Sequence, residues 1–313
     1  MTDTVVGIDI GGTSVRAVAL DLENNEVKDQ LNTSSSDNGP ELIRILSSVV
    51  KELEKRSKND FSAIGLGVAG LANKSGVVRY SPNLPNLIEF AIGHELEKKL
   101  GIRVSVGNDA TVATIAEWKI GAGRTSDNFV LATLGTGIGT GFVVDGHLLL
   151  GSSGFAGEAG HMTIDANGPV HVTGQKGPWE YYASGNALNR IVQKEAAEGN
   201  FNWAVEQAGS WEGVTSHHFS LAVKNQEPDS LRILDYFCQK VSTGLTNLIL
   251  LLDLDTVVIS GGVCEIGEPL RHGIETWVQN ILIGNKHRPK IEVKLAELGA
   301  DSGAIGAALS TQE

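Results

Sequence analysis

The hydrophobic pattern of the chain alternates between short apolar runs rich in β-branched residues and longer segments with apolar residues at helical spacing. Residues 5–10 and 15–20 are two such runs, and the glycines between them predict a tight hairpin. Residues 129–134 and 142–145 repeat this plan around the glycine-rich stretch 135–141. The repetition predicts two structurally related halves.

Segments between and beyond the two hairpins alternate between helical and strand-like periodicity. Apolar residues at helical spacing predict helices at about 42–53, 88–100, 187–198, 230–252 and 303–309, and one that starts after Asp109. Buried-strand patterns lie at 63–68, 102–106, 256–259 and 290–295. This alternation predicts an α/β protein whose first domain ends near Trp118.

The charge balance and the two cysteines exclude several classes of function. The 313 residues carry a formal net charge of −12, which provides no basic field for nucleic acid or for an anionic membrane surface. No apolar stretch has the length needed for export or membrane insertion. Cys238 and Cys264 have neither a disulfide-framework nor a metal-ligand spacing. We therefore expect a cytoplasmic protein with no nucleic-acid or membrane partner.

The glycine-rich turns are candidate phosphate sites. Backbone N–H groups can bind phosphate where no Cβ blocks the approach, and Gly11, Gly12, Gly135 and Gly137 lie in the two hairpin turns. Neither turn fits the known phosphate-binding motifs. A P-loop needs the pattern G-x-x-x-x-G-K-[ST], and a dinucleotide-binding turn leads into a helix, whereas both turns here lead into strands. One such turn alone would be an ordinary hairpin turn. Two glycine turns in matched positions, together with a further glycine pair at Gly261, favour phosphate binding.

Acidic residues lie beside these turns. Asp9 is a carboxylate within an apolar strand, where it costs desolvation energy unless it emerges at a site. Beside a bound triphosphate it could hold Mg²⁺ directly or through water. Asn108 and Asp109 follow a strand and precede a helix, so either is a candidate helix N-cap, and Asp109 is also a candidate general base at the sheet edge. From position alone, the roles of helix N-cap and general base are about equally supported.

Other polar residues form a candidate polyol site. Glu158 and His161 lie three residues apart among small residues, and a sugar needs such paired acceptors and donors. A structural histidine or a metal ligand is the alternative for His161. Glu180 is alternatively a helix-end carboxylate, and Asn83 is alternatively a turn residue.

Together these residues resemble the ROK family of sugar kinases, within the actin-like, hexokinase-like ATPase superfamily. The similarity extends over essentially the whole chain, and the ordered set of motifs is far more specific than any one of them. The motifs are Asp9-Ile-Gly-Gly-Thr13, Ser81-Pro-Asn-Leu84, Asn108-Asp109-Ala110, Gly135-Thr-Gly-Ile-Gly-Thr-Gly141, Gly157-Glu-Ala-Gly-His161, Ser260-Gly-Gly-Val263 and the tail 299–308.

The resemblance implies a fold of two ribonuclease H-like α/β domains that flank a central cleft. The smaller N-terminal domain would comprise residues 1–118 plus 299–313, since the last helix of the family returns to the first domain. The larger C-terminal domain would comprise residues 119–298. The sugar would bind in the cleft, and the resemblance also implies a homodimer.

The resemblance implies a role for each candidate site residue. Asp109 would be the catalytic base and would also contact the sugar, and Asp9 would bind Mg²⁺ beside ATP. The other residues that would hydrogen-bond the sugar are Asn83, Asn108, Glu158, His161 and Glu180. The residues that would hold ATP are Gly11, Gly12, Thr13, Gly135, Thr136 and Gly137 at the phosphates, and Gly261 and Gly262 at the adenosine.

One departure from the family concerns a zinc site. Family members usually bind a structural zinc with three cysteines of a C-x-C-G-x-x-G-C-x-E stretch and the histidine of G-x-G-H. In the aligned stretch here, His171, Thr173 and Pro178 replace the cysteines. His161 and His171 alone provide too few ligands for tetrahedral zinc, so we predict no structural zinc. Pro178 and Trp179 would stiffen the loop by packing instead.

The expected activity is ATP-dependent phosphorylation of a free hexose, foremost glucose to glucose 6-phosphate, in carbohydrate metabolism and glycolysis. Mannose, fructose, N-acetylglucosamine and N-acetylmannosamine are alternative acceptors, and polyphosphate is an alternative donor. A sugar-sensing transcriptional regulator is a remote alternative, because regulators of this family carry a helix-turn-helix in front and the first phosphate-turn strand here starts at Val5. A protein that only binds sugar is disfavoured by Asp9 and Asp109.

Overall fold

The computed structural model of the protein describes residues 4–58 and 60–313, and the chain forms two compact units. The first unit consists of the segment up to Thr125, Gly141–Gly157 and Glu297–Glu313; the second consists of Ser126–Thr140 and Glu158–Ala296. The sequence-based domain limits, 1–118 plus 299–313 and 119–298, stay a prediction. The first compact unit additionally contains residues 119–125, 141–157 and 297–298.

Strands and helices alternate along the chain. The strands are β1 (Thr4–Ile10), β2 (Ser14–Asp21), β3 (Glu26–Ser34), β4 (Ala63–Val68), β5 (Leu71–Ala72), β6 (Val78–Tyr80), β7 (Arg103–Asn108), β8 (Phe129–Leu134), β9 (Ile138–Val144), β10 (His147–Leu148), β11 (Thr256–Ser260) and β12 (Glu292–Leu295). The helices are α1 (Gly39–Ser57), α2 (Ile92–Leu100), α3 (Asp109–Lys119), α4 (Trp179–Ala183), α5 (Gly185–Ala197), α6 (Asn202–Ala208), α7 (Ser216–Lys224), α8 (Pro228–Leu252), α9 (Glu268–Ile281) and α10 (Ser302–Leu309). In residues 4–58 and 60–313, no helix is both long and apolar enough to cross a membrane.

The two main sheets have the same strand order. The first is β3-β2-β1-β4-β7 and the second is β10-β9-β8-β11-β12, so each reads 3-2-1-4-5 in chain order. In the first sheet, β1, β2 and β3 pair antiparallel, whereas β1, β4 and β7 pair parallel. In the second, β9 and β10 are antiparallel, whereas β8, β11 and β12 are parallel. This repetition confirms the two related halves predicted from the hydrophobic pattern.

The carboxyl ends of three parallel strands meet at one edge of the first sheet. The register pairs Ile10 with Val68 and Val68 with Asn108. The turn that begins at Gly11 therefore leaves β1 at the same edge at which Asp109 follows β7. In open α/β sheets this edge is the usual place for ligand binding.

Two apolar layers enclose the first sheet. One layer packs the sheet against α1 and α2 and includes the buried Leu46. The other packs it against α3 and α10 and includes Ile115 and Ile305. Helix α10 approaches the sheet closely because Gly7 lacks a side chain, and a Cβ there would overlap the backbone of Ala304. The small-residue composition of the last helix thus fits its position against the sheet.

The carboxylate of Glu117 joins the end of α3 to the segment that precedes α10. The residue is fully buried. Its oxygens accept hydrogen bonds from the backbone N–H groups of Ala122 at 2.8 Å, Glu297 at 3.2 Å and Leu298 at 3.0 Å. The three hydrogen bonds hold the returning carboxyl-terminal segment in the first unit.

We expect Glu117→Gln to lower the free energy of unfolding by about 2–3 kcal/mol, because the amide keeps only one acceptor oxygen where three donors converge. Chemical denaturation followed by circular dichroism measures this change. Glu97→Gln, at an exposed position of α2, is the matched control and should leave the stability nearly unchanged. Equal stabilities of Glu117→Gln and the wild type would show that the three contacts make no net contribution.

Helix α8 is the central helix of the second unit and packs against α4 and α9. Trp179, the first residue of α4, is fully buried, and its indole N–H donates to the carbonyl oxygen of Lys240 at 3.1 Å. The indole ring lies over Gly244, where a Cβ would overlap it. Trp179 thereby anchors the start of α4 to α8, in agreement with the packing role expected for it.

Two elements begin four residues away from their predicted starts. Helix α2 begins at Ile92 and not at 88, because Pro85–Leu87 forms a separate 3₁₀ turn. Strand β9 begins at Ile138 and not at 142. The second glycine turn is therefore shorter than predicted, because the backbone from 138 onward pairs within the sheet.

Strand β3 and helix α9 have no counterpart among the predicted elements. Strand β3 alternates exposed and half-buried residues and lies at the edge of its sheet, so it lacks an apolar run. Helix α9 buries only Leu270, Ile274 and Val278. A stripe this narrow gives a weak periodic signal in sequence.

Candidate active site

The first glycine turn lies beside Asn83. The N–H of Gly11 donates to the carbonyl oxygen of Ser14 at 2.9 Å and closes the turn. Gly12 faces Asn83, since a Cβ on Gly12 would lie 2.8 Å from the Asn83 carbonyl oxygen. Asn83 itself is exposed. The structure thus brings a predicted sugar ligand next to the turn that ends at Thr13.

Asp9 is the half-buried, second-last residue of β1. Burial raises the pKa of its carboxyl, and the positive charge of Arg16 acts in the opposite direction. Within the described part of the chain, no hydrogen bond reaches this carboxylate. A carboxylate that loses water without gaining a donor is stabilised by a cation, and Mg²⁺ commonly binds one or two carboxylates together with substrate phosphates. Asp9 therefore fits the Mg²⁺ site predicted for it.

Asn108 is the N-cap of α3. Its Oδ1 accepts hydrogen bonds from the N–H groups of Ala110 at 2.9 Å and Thr111 at 3.1 Å, and its Nδ2 donates to the carbonyl oxygen of Gly70 at 2.9 Å. Asp109 is the half-buried first residue of the helix. The capping role thus falls to Asn108. Its three hydrogen bonds fix the backbone from which the Asp109 carboxylate projects.

The second glycine turn, residues 135–137, connects β8 to β9. The N–H of Gly135 donates to the carbonyl oxygen of Gly137 at 3.0 Å. The carbonyl oxygen of Gly135 accepts the N–H of Gly185, the first residue of α5, at 2.7 Å. These hydrogen bonds fix the turn against the start of α5. The remaining residues of the motif, up to Gly141, form strand rather than loop.

Glu180 lies directly against the second glycine turn. Its Oε2 accepts the backbone N–H of Ile138 at 2.8 Å. A Cβ on Gly137 would overlap the same oxygen, so only glycine permits this approach. The Glu180 side chain is 18% exposed. A predicted sugar ligand and a predicted phosphate turn therefore share a hydrogen bond within the second unit.

Glu158 directly precedes the 3₁₀ turn Ala159–His161, and His161 is its last residue. The Nε2 of His161 lies 3.7 Å from the Oε2 of Glu158, and the Nδ1 of His161 is buried with no hydrogen-bond partner among the described residues. Burial raises the pKa of Glu158; His161 acts against this shift and the negative charge of Glu180 adds to it. The second unit therefore brings Glu158, His161 and Glu180 into one electrostatic cluster.

A cavity of about 330 Å³ opens beside the second glycine turn. Its lining includes Gly135, Thr136 and Gly262, which are three of the residues predicted to hold ATP. Gly261 adopts a φ of 93°, and a Cβ there would lie 2.8 Å from the backbone nitrogen of Leu134. Val263 belongs to the predicted motif Ser260-Gly-Gly-Val263, whereas the sequence did not indicate other lining residues such as Asn186, Leu188, Asn189, Ser216 and Glu265. Several of these are ordinary helix positions, which carry no motif of their own.

A model of the ROK family matches residues 5–313. The chain belongs to the ROK family. This result confirms the resemblance drawn from the motifs, and it confirms the ROK α/β fold of the actin- and hexokinase-like superfamily.

Members of the ROK family with different roles match nearly the whole chain. Glucokinase of Thermotoga maritima is 30% identical over 315 residues, which cover 99% of this chain and 97% of that one. The xylose repressor of Bacillus subtilis is 28% identical over 308 residues, which cover 96% of this chain and 75% of the repressor. The chain is also similar to a solved structure, the crystal structure of a ROK family glucokinase from Streptomyces griseus in complex with glucose and AMPPNP. The two sequences are 30% identical, the TM-score is 0.86, and the match covers 99% of this chain and 100% of that one.

The residues at the ROK zinc positions do not fit a zinc site. Thr173 and Pro178 supply no thiolate, and the Nε2 of His171 faces the Oε1 of Glu180 at 3.5 Å. Across residues 4–58 and 60–313, no group of three or more histidine, cysteine, aspartate or glutamate side chains could hold a metal ion. A tetrahedral zinc needs four such donors at bonding distance.

We expect protein purified without chelator to contain no stoichiometric zinc, and we expect EDTA to leave its melting temperature unchanged, because structural zinc contributes directly to folding stability where it is bound. Inductively coupled plasma mass spectrometry and thermal denaturation provide the two measurements. One tightly held zinc per chain, or a large drop in melting temperature with EDTA, would refute this prediction.

Proposed function

We propose that the protein transfers the γ-phosphoryl group of ATP to a hydroxyl group of a free hexose, foremost O6 of glucose. The bond from the γ-phosphorus to its bridging oxygen breaks, a bond to the sugar oxygen forms, and the hydroxyl proton passes to Asp109. The products are ADP and glucose 6-phosphate. The observation that carries the proposal is the position of Asp109, fixed by the Asn108 cap at the same sheet edge as the first glycine turn.

In the first unit, the proposed roles concern the attacking hydroxyl and the phosphates. Asp109 accepts the hydroxyl proton as the oxygen attacks, while Asn83 and Asn108 orient the sugar. The backbone N–H groups of residues 11–13 offer donors to phosphate oxygens. Mg²⁺ at Asp9, directly or through water, would neutralise charge on the phosphates.

In the second unit, the proposed roles concern sugar recognition. Glu158 and Glu180 supply carboxylate acceptors for sugar hydroxyl groups, and His161 supplies an imidazole. A sugar hydroxyl bound to Glu158 would compensate for the desolvation that raises its pKa. The N–H groups of Thr136 and Gly137 would face the phosphates.

The cavity beside the second glycine turn supports a nucleotide as the donor. About 330 Å³ with apolar residues such as Leu188 and Val263 suits a purine base, and the neighbouring Asn186 and Ser216 suit a ribose. A polyphosphate chain would use neither feature. The ROK glucokinase structure from Streptomyces griseus contains AMPPNP. ATP is therefore the proposed donor, with Gly261 and Gly262 beside its adenosine, and polyphosphate is the alternative.

Glucose is the proposed acceptor because the Thermotoga relative is named glucokinase and the Streptomyces structure contains glucose. The alternative acceptors are mannose, fructose, N-acetylglucosamine and N-acetylmannosamine. A sugar-sensing regulator is the remote alternative, since the xylose repressor of Bacillus subtilis also matches nearly the whole chain at 28% identity. The net charge of −12 disfavours DNA binding by this chain.

A coupled assay of ADP release across hexoses and N-acetylhexosamines, with and without Mg²⁺, tests the proposal. We expect the highest kcat/KM with glucose, no turnover without Mg²⁺, and far slower turnover with polyphosphate in place of ATP. If no acceptor gave sugar-dependent ADP release, the proposed kinase activity would be rejected. Specific operator binding in a gel-shift assay would favour the regulator.

We further propose that the protein is a homodimer in the cytoplasm and that its product enters glycolysis. These proposals follow from the ROK family resemblance, from the negative net charge and from the two cysteines without a disulfide spacing. Light scattering of the purified protein measures the oligomeric state.

We expect Glu158→Gln to raise thermal stability only slightly at neutral pH while weakening hexose binding, because the Glu158 side chain is 42% exposed and solvent screens most of the effect. Burial raises the pKa of the Glu158 carboxyl, so ionisation is less favourable in the folded protein than in the unfolded chain. The gain should be complete above the raised pKa and should vanish below the ordinary value of about 4.3, where both states are protonated. Melting temperatures across this pH range measure the effect. A gain of the same size at low pH would contradict an electrostatic origin.

A further inference from the structure

His171, which stands where the family resemblance implies a zinc-binding cysteine, contacts the predicted sugar ligand Glu180. The Nε2 of His171 lies 3.5 Å from the Oε1 of Glu180, and the two side chains are 16% and 18% exposed. Both groups are therefore largely withdrawn from water, where a contact between an imidazole and a carboxylate is stronger than at the surface.

The two oxygens of Glu180 have different partners. Oε2 accepts the backbone N–H of Ile138 from the second glycine turn at 2.8 Å, and Oε1 faces His171. One contact alone would leave the carboxylate free to rotate about its last bond, because that torsion is broad. The second contact, from His171, removes this freedom.

His171 is itself fixed in a short hairpin. Its backbone N–H donates to the carbonyl oxygen of Gln175 at 2.8 Å, and its carbonyl oxygen accepts the N–H of Gly174 at 2.9 Å. Its Nδ1 lies 3.1 Å from the Oγ1 of Thr173. If the threonine hydroxyl donates to Nδ1, the neutral imidazole carries its proton on Nε2, which faces Glu180. Thr173 likewise stands where the family resemblance implies a zinc-binding cysteine.

We propose that His171 is a positioning residue that orients the Glu180 carboxylate for a sugar hydroxyl, with Thr173 setting the imidazole. The proposal thus gives a role to two residues that stand where the family resemblance implies zinc-binding cysteines. The inference rests on the proposed function in so far as Glu180 binds the hexose. It assigns no proton transfer to His171.

The expected effect is on hexose binding rather than on the chemical step. We expect His171→Ala to raise the KM and the Kd for glucose about tenfold, because the largely buried contact between the imidazole and the Glu180 carboxylate is lost, with kcat and the KM for ATP nearly unchanged. His171→Gln keeps an N–H donor at a similar reach and should restore most of the affinity. Val172→Ala, at a 96% exposed neighbour in the same hairpin, is the matched control.

A double-mutant cycle with Glu180→Gln provides the deciding measurement. If His171 acts through Glu180, His171→Ala should add little to the glucose Kd in the Glu180→Gln background. Additive effects, or an unchanged Kd for His171→Ala alone, would overturn the inference. Should the alanine variant not fold, His171→Gln and His171→Leu make the same comparison with and without the N–H donor.

Failure of the proposed function has a different signature. In that case the wild type would bind and phosphorylate no hexose, and the inference would fall with it. Failure of the inference alone leaves wild-type binding and turnover intact, with His171 variants that match the wild type in glucose affinity.

Discussion

Replacing Asp109 by asparagine is expected to lower kcat about 10²- to 10⁴-fold while leaving the hexose Kd nearly unchanged, because the amide keeps the shape of the side chain but cannot accept the hydroxyl proton. The Asn108 cap should hold the variant side chain in place through its hydrogen bonds to Ala110 and Thr111. Steady-state turnover and calorimetric titration with glucose measure the two quantities separately.

The control for this variant is Asp127→Asn, which changes the same side chain at an exposed position of the second unit. It should match the wild type in kcat and in Kd. Turnover of Asp109→Asn within a fewfold of the wild type would remove Asp109 from the role of base. Loss of glucose binding together with turnover would make Asp109 a binding residue instead.

Replacing Trp179 by alanine is expected to lower the free energy of unfolding by about 3–5 kcal/mol, because a fully buried indole is lost and the surrounding core fills the space only in part. The carbonyl oxygen of Lys240 also loses its hydrogen bond from the indole N–H. Because Glu180 follows Trp179 in α4, hexose affinity should fall as well. Urea denaturation and glucose titration provide the measurements.

Trp211→Ala is the matched control, since this indole is 46% exposed. Its removal should change the free energy of unfolding by less than about 1 kcal/mol and leave hexose affinity unchanged. If Trp179→Ala were as stable as Trp211→Ala, the buried indole would not be the anchor of α4.

The sequence predicts those parts of the fold whose signal is local. Strands β4 and β8 have the predicted bounds, because each is a compact run of buried apolar residues. The edge position of Asp109 was also predictable, since a strand followed by Asn-Asp and a helix defines the carboxyl edge of a parallel sheet. The sequence could not decide whether Asp109 or Asn108 caps the helix, because only the coordinates show that Asn108 makes the capping hydrogen bonds.

Contacts between distant segments could not be predicted from the sequence. The overlap that makes glycine obligatory at Gly137 depends on Glu180, which is 43 positions away in the chain. The contact of His171 with Glu180 likewise follows from the path of a hairpin, and no periodicity encodes that path. The cavity-lining Asn186 and Ser216 come from different helices, of which only the first was predicted.

The proposed mechanism requires the carboxylate of Asp109 to receive the proton of the attacking sugar hydroxyl. A crystal structure of the protein with glucose and a non-hydrolysable ATP analogue tests this requirement. We expect a carboxylate oxygen of Asp109 within hydrogen-bond reach of O6, about 2.6–3.2 Å, with O6 directed at the γ-phosphorus. Glucose bound with O6 turned away from Asp109, or with another side chain in that place, would exclude Asp109 as the catalytic base.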